Sequence, residues 1–164
     1  MANRLLITGA MAIVCACAAA GAARAEDTPV RKSGLWELTI DTGANKVVAR
    51  QCVDAASQAA AAAKVKSLAE SMCSKRETRR QGDVFVQDSV CQLMGSERIA
   101  HSETTAISEN EFRSVNTVHY HPPMNGMTDT TSTASAKWLG PCDADLSPGE
   151  MIVNGRKIKM PAQP

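Results

Sequence analysis

The feature that most constrains the fold is a succession of short segments with two-residue periodicity, each followed by turn-forming residues. Trp36, Leu38 and Ile40 lie on one side of such a segment, which is typical of a half-buried β-strand. A turn at residues 42–45 follows, and residues 46–52 read as a returning strand. Strands joined by short turns lie side by side and antiparallel, so the sequence predicts a sheet built from consecutive hairpins.

A single helix interrupts this pattern of strands. Asp54 is a good N-cap, and the alanine-rich stretch that follows favours a helix ending near Ser71. Its narrow apolar stripe is expected to lie against one face or end of the sheet, and consists of Ala61, Val65, Leu68 and Met72. The predicted fold is therefore mainly β (α+β), a single antiparallel meander of six or seven strands with one helix inserted after strand two. Such a sheet can curl into a partly closed barrel around a small apolar ligand.

The N-terminal residues 1–25 have the features of a cleaved signal peptide. Arg4 provides the positive start, residues 5–20 form an uncharged apolar run, and residues 23–25 match the small-x-small cleavage pattern. The run is too short and too rich in alanine and glycine for a membrane anchor. Lipoprotein processing at Cys17 is the alternative, although Cys15 fits that pattern badly. We therefore expect an exported protein without a transmembrane segment.

Removal of the signal peptide leaves four cysteines, namely Cys52, Cys73, Cys91 and Cys142. An even number in an exported chain predicts two disulfides, and the absence of a CxxC pair argues against zinc. Gly82 lies midway between Cys73 and Cys91. A regular hairpin centred there sets these two cysteines opposite each other, which leaves Cys52 to bond Cys142. The alternative connectivity joins Cys52 to Cys73 and Cys91 to Cys142.

A further hairpin is predicted with Glu109 and Asn110 as its two loop residues. In a regular register Ile107 then faces Phe112, a favourable aliphatic–aromatic pair. The same register sets His101 on the opposite face of the sheet from His119. The strand is expected to end at the two prolines after His121, because proline cannot continue the hydrogen-bonded ladder.

The C-terminal part contains one more strand and a local hairpin signal. Residues 127–138 are rich in threonine and serine, which fits a strand with a solvated face. Asn154-Gly155 lies between two short apolar stretches and predicts a small hairpin. The chain is thus divided into a cleaved signal peptide (1–25), a disulfide-bonded β domain (26–142) and a tail with this hairpin (143–164).

Several short motifs occur in a fixed order along the chain. They are Gly34-Leu35-Trp36-Glu37, Cys52 before an acidic helix start, Cys73 and Cys91 around a Gly-Asp turn, and Gly140-Pro141-Cys142. In this order they resemble the exported bacterial family called domain of unknown function 3617, over about residues 33–142. The resemblance implies a small periplasmic protein of Gram-negative bacteria and brings no established activity. The alanine-rich helix is longer than the segment usual at that place in the family.

Composition and motifs exclude several classes of function. The formal net charge is +1 and aromatic residues make up 3%, which argues against nucleic-acid binding. The sequence contains no recognisable nucleophile motif, phosphate-binding loop, dinucleotide fingerprint or zinc-protease motif. We expect a monomeric, non-catalytic protein without a nucleic-acid partner and without a required cofactor.

The sharpest candidate for a ligand site is a histidine pair followed by methionines. His119 and His121 project from the same side of a strand, and an Asn-Gly turn can bring Met124 or Met127 back toward them. Imidazole suits Cu(II) and thioether sulfur favours Cu(I), so the set is a candidate copper site. The alternative interpretation is that these are surface residues at the end of a strand.

A basic run is the other visible feature of the chain. Lys75–Arg80, with Lys64 and Lys66 nearby in sequence, suits an anionic partner such as lipopolysaccharide phosphates. In a strand, however, these charges divide between two faces and Glu77 interrupts them. A solvated edge strand protected by charge is the favoured interpretation.

Together these observations predict an exported periplasmic protein of unknown function, a non-catalytic binding or envelope-associated module. Its expected partner is an unidentified small apolar ligand or an envelope protein. A low-affinity copper-binding protein using His119, His121 and Met124 is one alternative. A structural module that binds a protein partner of the cell envelope is the other.

Overall fold

The computed structural model of the protein describes residues 29–159, so the predicted signal peptide lies outside the described residues. The sheet is single and antiparallel, with one helix after the second strand, which confirms the predicted fold class. The elements are β1 (Gly34–Asp41), β2 (Lys46–Val53), α1 (Ala55–Met72), β3 (Cys73–Gln81), β4 (Val84–Leu93), β5 (Ser96–Ser108), β6 (Glu111–Met124), β7 (Met127–Gly140), β8 (Glu150–Val153) and β9 (Arg156–Lys159).

The nine strands lie in the order β3-β4-β5-β6-β7-β1-β2-β8-β9. Within residues 29–159, β3 and β9 each pair with one neighbour, so the sheet is open rather than closed by strand pairing. Both edges are basic, with Lys75–Arg80 in β3 and three cations in β9. The prediction that the basic run forms a charged edge strand is therefore confirmed, and such charge discourages pairing with another chain.

A β-bulge corrects the predicted register of the β5–β6 hairpin. Ser108 pairs with Glu111 as expected, but Ala106, and not Ile107, pairs with Phe112. The bulge sets two residues of β5 against one of β6 and leaves Ile107 52% exposed. All residues of β5 before it are shifted by one position. His101 consequently pairs with Thr117, and the prediction that it lies on the other face from His119 is wrong.

A second irregularity occurs in the hairpin formed by β3 and β4. Gln81 pairs with Val84 around a two-residue turn, so the hairpin is not centred on Gly82 as predicted. The register then shifts by one residue between Cys73 and Lys75. This shift sets Cys73 opposite Cys91. These two cysteines form one disulfide, and the other joins Cys52 to Cys142.

β6 extends to Met124, so the expectation that its two prolines end the strand is wrong. Pairing with β5 stops at His121, and the register with β7 shifts between His119 and Met124. The prolines therefore interrupt the ladder without ending the extended backbone. Met124 pairs with Met127 around an Asn125-Gly126 turn, in which both residues have positive φ.

The chain after Cys142 joins the same sheet. β8 pairs with β2 and with β9, and Asn154-Gly155 forms the turn of this last hairpin. Leu146, in the connection before β8, is only 2% exposed and packs with Leu35 and Cys52. The segment is therefore packed against the β1–β2 side of the sheet.

The other part of the core surrounds Trp36, which is fully buried. Its ring lies 5.5 Å from that of Phe112, and its indole N–H donates to the carbonyl of Lys32 at 2.8 Å. Gly34 has a φ of +134°, and a Cβ there would collide with the Gly140 carbonyl oxygen. The close approach of β1 and β7 therefore requires glycine at this position.

Candidate functional site

The two faces of the sheet differ in their cover. We call the face that carries α1 the helix face and the opposite one the outer face. Even-numbered residues of β6 lie on the helix face, and Phe112, Val118 and Tyr120 among them are at most 9% exposed. Odd-numbered residues such as Val115 and His119 lie on the outer face and are exposed. α1 is thus the element that shields one face from solvent.

The first end of α1 is fixed by a capping box. The Asp54 carboxylate accepts a hydrogen bond from the Ser57 backbone N–H at 2.7 Å, and the Ser57 hydroxyl accepts one from the Asp54 backbone N–H at 2.9 Å. These bonds satisfy donors that every helix start leaves unpaired. The hydrogen bond with the Ser57 backbone, followed by that with its side chain, lowers the pKa of Asp54.

A reciprocal clamp ties the same end of α1 to the segment before β1. The Arg31 backbone N–H donates to the Gln58 amide oxygen at 2.8 Å, and the Gln58 amide nitrogen donates to the Arg31 carbonyl at 2.9 Å. The clamp uses only the backbone of Arg31, which leaves its side chain available for other contacts.

Disulfides secure the chain just outside both ends of α1. Cys52 lies two residues before the N-cap and is bonded to Cys142. Cys73 follows directly after Met72 and is bonded to Cys91 on β4. The helix is therefore fixed at its two ends through covalent bonds to the sheet and to the segment after β7.

The middle of α1 is held much less closely. None of its 18 residues is buried, and the apolar side chains of Val65 and Leu68 are 52% and 50% exposed. The predicted apolar stripe lies over the helix face, but the helix stands away from the strands along most of its length. A helix normally gains stability by burying such a stripe, so this arrangement leaves apolar surface unsatisfied.

The space left beneath α1 is a cavity of about 490 Å³, which we call the helix–sheet cavity. Its apolar wall includes Val65 from the helix, together with Phe112 and Ala136 from the sheet. A neighbouring cavity of about 280 Å³ shares Val65 and Arg76 with it and continues toward Leu68, Met72 and Leu93. A third, of about 520 Å³, lies along α1 beside Pro148 and Gly149 and is also lined by Val65 and Leu68.

The charged groups that line the first two cavities are all cations. Arg31, Lys66 and Arg76 line the helix–sheet cavity, and Arg76 and Arg98 line its neighbour. Among the described residues, no aspartate or glutamate lines either space. Lys66 lies 4.0 Å from Glu70, whereas neither Arg31 nor Arg76 has a carboxylate within 4 Å in residues 29–159.

Arg31 is instead surrounded by neutral groups. Its guanidinium donates to the Gln51 amide oxygen at 3.3 Å and lies 5.9 Å from the centre of the Trp36 ring. Removal from water lowers the pKa of Arg31. Arg76 has one neutral acceptor, the Gln87 amide oxygen at 3.3 Å. The hydrogen-bonding capacity of both guanidinium groups is therefore only partly used.

The outer face, by contrast, pairs its charges. Asp88 accepts hydrogen bonds from Arg79 and bonds the His101 ring at 2.6 Å, while Glu103 lies 3.3 Å from the other ring nitrogen. The bond to Asp88 and then that to Glu103 raise the pKa of His101. The hydrogen bonds from His101 and Arg79 lower the pKa of Asp88. This cluster is a satisfied surface network.

The candidate copper ligands lie at one end of the outer face. His119 and His121 share that face and are exposed, and one ring nitrogen of His119 bonds the Asp129 carboxylate at 2.8 Å. Met124 is half-buried at the β6–β7 turn. In the described part of the chain, no three or more His, Cys, Asp or Glu residues are arranged to hold a metal ion. A copper site would therefore depend on methionine sulfur.

The helix–sheet cavity and the arginines that line it were not predicted from the sequence. The basic run was interpreted as a solvated edge strand, yet Arg76 faces the cavity while its neighbours Lys75 and Glu77 are exposed. Because successive side chains of a strand point to opposite faces, the sequence does set Arg76 on the face opposite Lys75 and Glu77, and this was the signal that could have distinguished it. No sequence signal marked Arg31, because its surroundings come from three separate segments.

Comparisons with known proteins identify one family. The family model described as "Protein of unknown function (DUF3617)" matches residues 31–142. No curated protein and no solved structure matches the chain. Within the described residues, α1 is not sufficiently apolar to cross a membrane, and no other helix is available for this role.

Proposed function

We propose that this chain, which belongs to the DUF3617 family, is a non-catalytic periplasmic protein that binds a small apolar ligand in the helix–sheet cavity. The observation that carries the proposal is a helix fixed at both ends but without one buried residue, above a cavity of about 490 Å³. A bound ligand supplies the apolar contacts that the sheet does not make with Val65. This volume lies in the range of small-molecule sites.

Export to the periplasm is part of the same proposal. It is supported by the sequence features of residues 1–25 and by the two disulfides, which persist in oxidising compartments. Because the disulfides secure both ends of α1, an oxidising compartment also maintains the cavity. Mass spectrometry of the protein from a periplasmic extract should give a chain that begins at Glu26.

Ligand binding is tested with a neutral apolar dye, N-phenyl-1-naphthylamine, whose fluorescence rises when it leaves water. We expect the oxidised mature protein to bind it saturably with one dye per chain. Val65→Ser should weaken binding about tenfold, because it removes apolar contact and places a hydroxyl against the dye. The stability of this variant should stay within about 0.5 kcal/mol, since Val65 is half exposed.

Val48→Ser is the matched control for this experiment. Val48 is 45% exposed, close to the exposure of Val65, but it lies on β2 away from the helix–sheet cavity. This variant should bind the dye as the unmodified protein does. Absence of saturable binding, or equal losses in the two variants, would contradict the proposed function.

Copper binding is the second candidate, favoured by the shared face of His119 and His121 and the nearby turn that carries Met124. Titration with Cu(II) and Cu(I) should show one site that is lost in the His119→Ala/His121→Ala variant. Equal, weak uptake by both proteins would remove this candidate. A purely structural envelope module, the remaining alternative, would bind neither the dye nor copper.

A further inference from the structure

We propose that the ligand of the helix–sheet cavity is an amphiphile with one anionic head group and an unbranched apolar chain. The inference rests on the proposed function and adds the chemistry of the ligand. It is carried by the distribution of charge around the cavity, which is one-sided in a protein whose total charge is nearly balanced.

The charged groups that line the two spaces have one sign. The cavity and its smaller neighbour are lined by Arg31, Lys66, Arg76 and Arg98, with no carboxylate among the described residues that line them. On the outer face, Arg79 pairs with Asp88 and Arg113 with Glu111. Along the cavity, Lys66 lies 4.0 Å from Glu70, but neither Arg31 nor Arg76 has a carboxylate within 4 Å among the described residues. This leaves a local excess of positive charge, which attracts an anion.

Arg31 and Arg76 are cations held partly out of water without an anionic partner among the described residues. Arg31 is half-buried and its guanidinium has a neutral amide and an aromatic ring as neighbours. A desolvated cation is unfavourable unless a partner compensates it. A carboxylate or phosphate supplies that partner, and a guanidinium can bond it through two parallel N–H groups. Arg76, with its single neutral acceptor, offers a second donor on the strand side.

The remaining lining of the two spaces suits the apolar part of a ligand. Beyond its cations, the lining of the cavity is mainly apolar, with Phe112 and Ala136 on the sheet and Val65 on the helix. The neutral polar residues of the lining are Gln58, Thr104 and Ser114. The adjoining cavity adds Leu68, Met72 and Leu93 in the direction of the Cys73–Cys91 disulfide. Together the two spaces provide cations that can bind one head group and apolar side chains that can contact a chain. This arrangement fits a head group and a chain better than a compact polar anion.

The experiment compares three ligands with the same twelve-carbon chain in displacing N-phenyl-1-naphthylamine below their micellar concentrations. They are laurate, dodecanol and dodecyltrimethylammonium, with negative, neutral and positive head groups. We expect laurate to bind about tenfold more tightly than dodecanol, and the cationic amphiphile to bind most weakly. The preference for laurate should fall at high salt, because its head group remains partly accessible to solvent.

Variants of the two arginines locate the head group. Arg31→Gln and Arg76→Gln should each reduce the preference for laurate over dodecanol several-fold, and the double variant should abolish it. Arg31→Gln retains the clamp to α1, because Gln58 bonds the backbone of residue 31. Arg113→Gln, which removes an exposed cation from the outer face, is the matched control and should retain the full preference.

The outcomes separate this inference from the proposed function. If the dye binds but laurate shows no advantage over dodecanol, the anionic amphiphile is wrong while an apolar site remains. The same conclusion follows if Arg113→Gln reduces the laurate preference as much as the cavity variants do. If the dye does not bind saturably, the proposed function itself fails. Inorganic phosphate competing as strongly as laurate would also overturn the inference, since no chain would then be required.

Discussion

The two faces of this sheet present similar strands in different ways. On the outer face, charged side chains are exposed and pair with one another, as in the cluster of Arg79, Asp88 and His101. On the helix face, the side chains are shielded by α1, and its arginines lack carboxylate partners among the described residues. The charged groups of this outer-face cluster find their partners within the protein. The helix face has both apolar surface and positive charge without partners.

The difference follows from how α1 is attached. A helix packed along its whole length would bury Val65 and Leu68 and close the space beneath it. Here a capping box, a glutamine clamp and two disulfides hold the ends, so the middle need not touch the strands. Fixing the ends replaces the stability that an interior stripe normally provides. This leaves room for a third component between helix and sheet.

The largest expected effect distinguishes the faces by burial within one strand. Phe112→Ala on the helix face should lower the free energy of unfolding by about 3–5 kcal/mol, because it removes a buried ring that packs on Trp36. Val115→Ala on the outer face should cost less than about 1 kcal/mol, since Val115 is 46% exposed. Urea unfolding measures both. Equal losses would contradict the assignment of the faces.

The second prediction concerns removal of the Cys73–Cys91 disulfide, which attaches the C-terminal end of α1 to the sheet. Cys73→Ala/Cys91→Ala should lower the free energy of unfolding by about 3 kcal/mol, because the disulfide closes a loop with a sequence separation of 18. Dye binding should weaken in the folded variant, as this end of the helix is released from β4. Ser67→Ala, an exposed change on the same helix, is the control. Unchanged dye affinity in the disulfide variant would show that the anchor does not shape the cavity.

The smallest expected effect concerns His101 and Asp88 on the outer face. Asp88 and Glu103 raise the pKa of His101 above its ordinary value of 6.5. The stability that these contacts contribute is therefore complete below pH 6.5 and is lost as the pH rises through the raised pKa of His101. The pKa of Asp88 is lowered, so its contribution is present above 3.8 and is lost as pH falls through the lowered pKa. The melting temperature should therefore exceed that of His101→Gln by about 1–3 °C between about pH 4 and 6.5.

That advantage should shrink as the pH is raised from 6.5 toward 8, as measured by thermal melts in matched ionic strength. The comparison variant is Arg113→Gln, which breaks an ion pair of the outer face that contains no histidine. A difference between the unmodified protein and His101→Gln that stays constant from pH 5 to 8 would contradict the network described here.

Local patterns in the sequence were sufficient for the strands, the helix and its N-cap, because two-residue periodicity and capping chemistry act over a few residues. They were insufficient for the register of the sheet. The bulge at Ile107 moved His101 to the face of His119, and a bulge depends on how the strand packs against its neighbours. The cavity could not be predicted from the sequence either, because it depends on the distance between α1 and the sheet. Arg31 lines this cavity and contacts Gln51 on β2 and Trp36 on β1.

Binding of a ligand between α1 and the helix face is tested most directly by hydrogen–deuterium exchange with and without laurate. Local exchange reports the stability of individual segments. We predict that laurate slows exchange in the middle of α1, residues 59–69, and leaves the β8–β9 hairpin, residues 150–159, unchanged. Exchange in residues 59–69 that does not respond to saturating laurate, or protection confined to the hairpin, would contradict the claim.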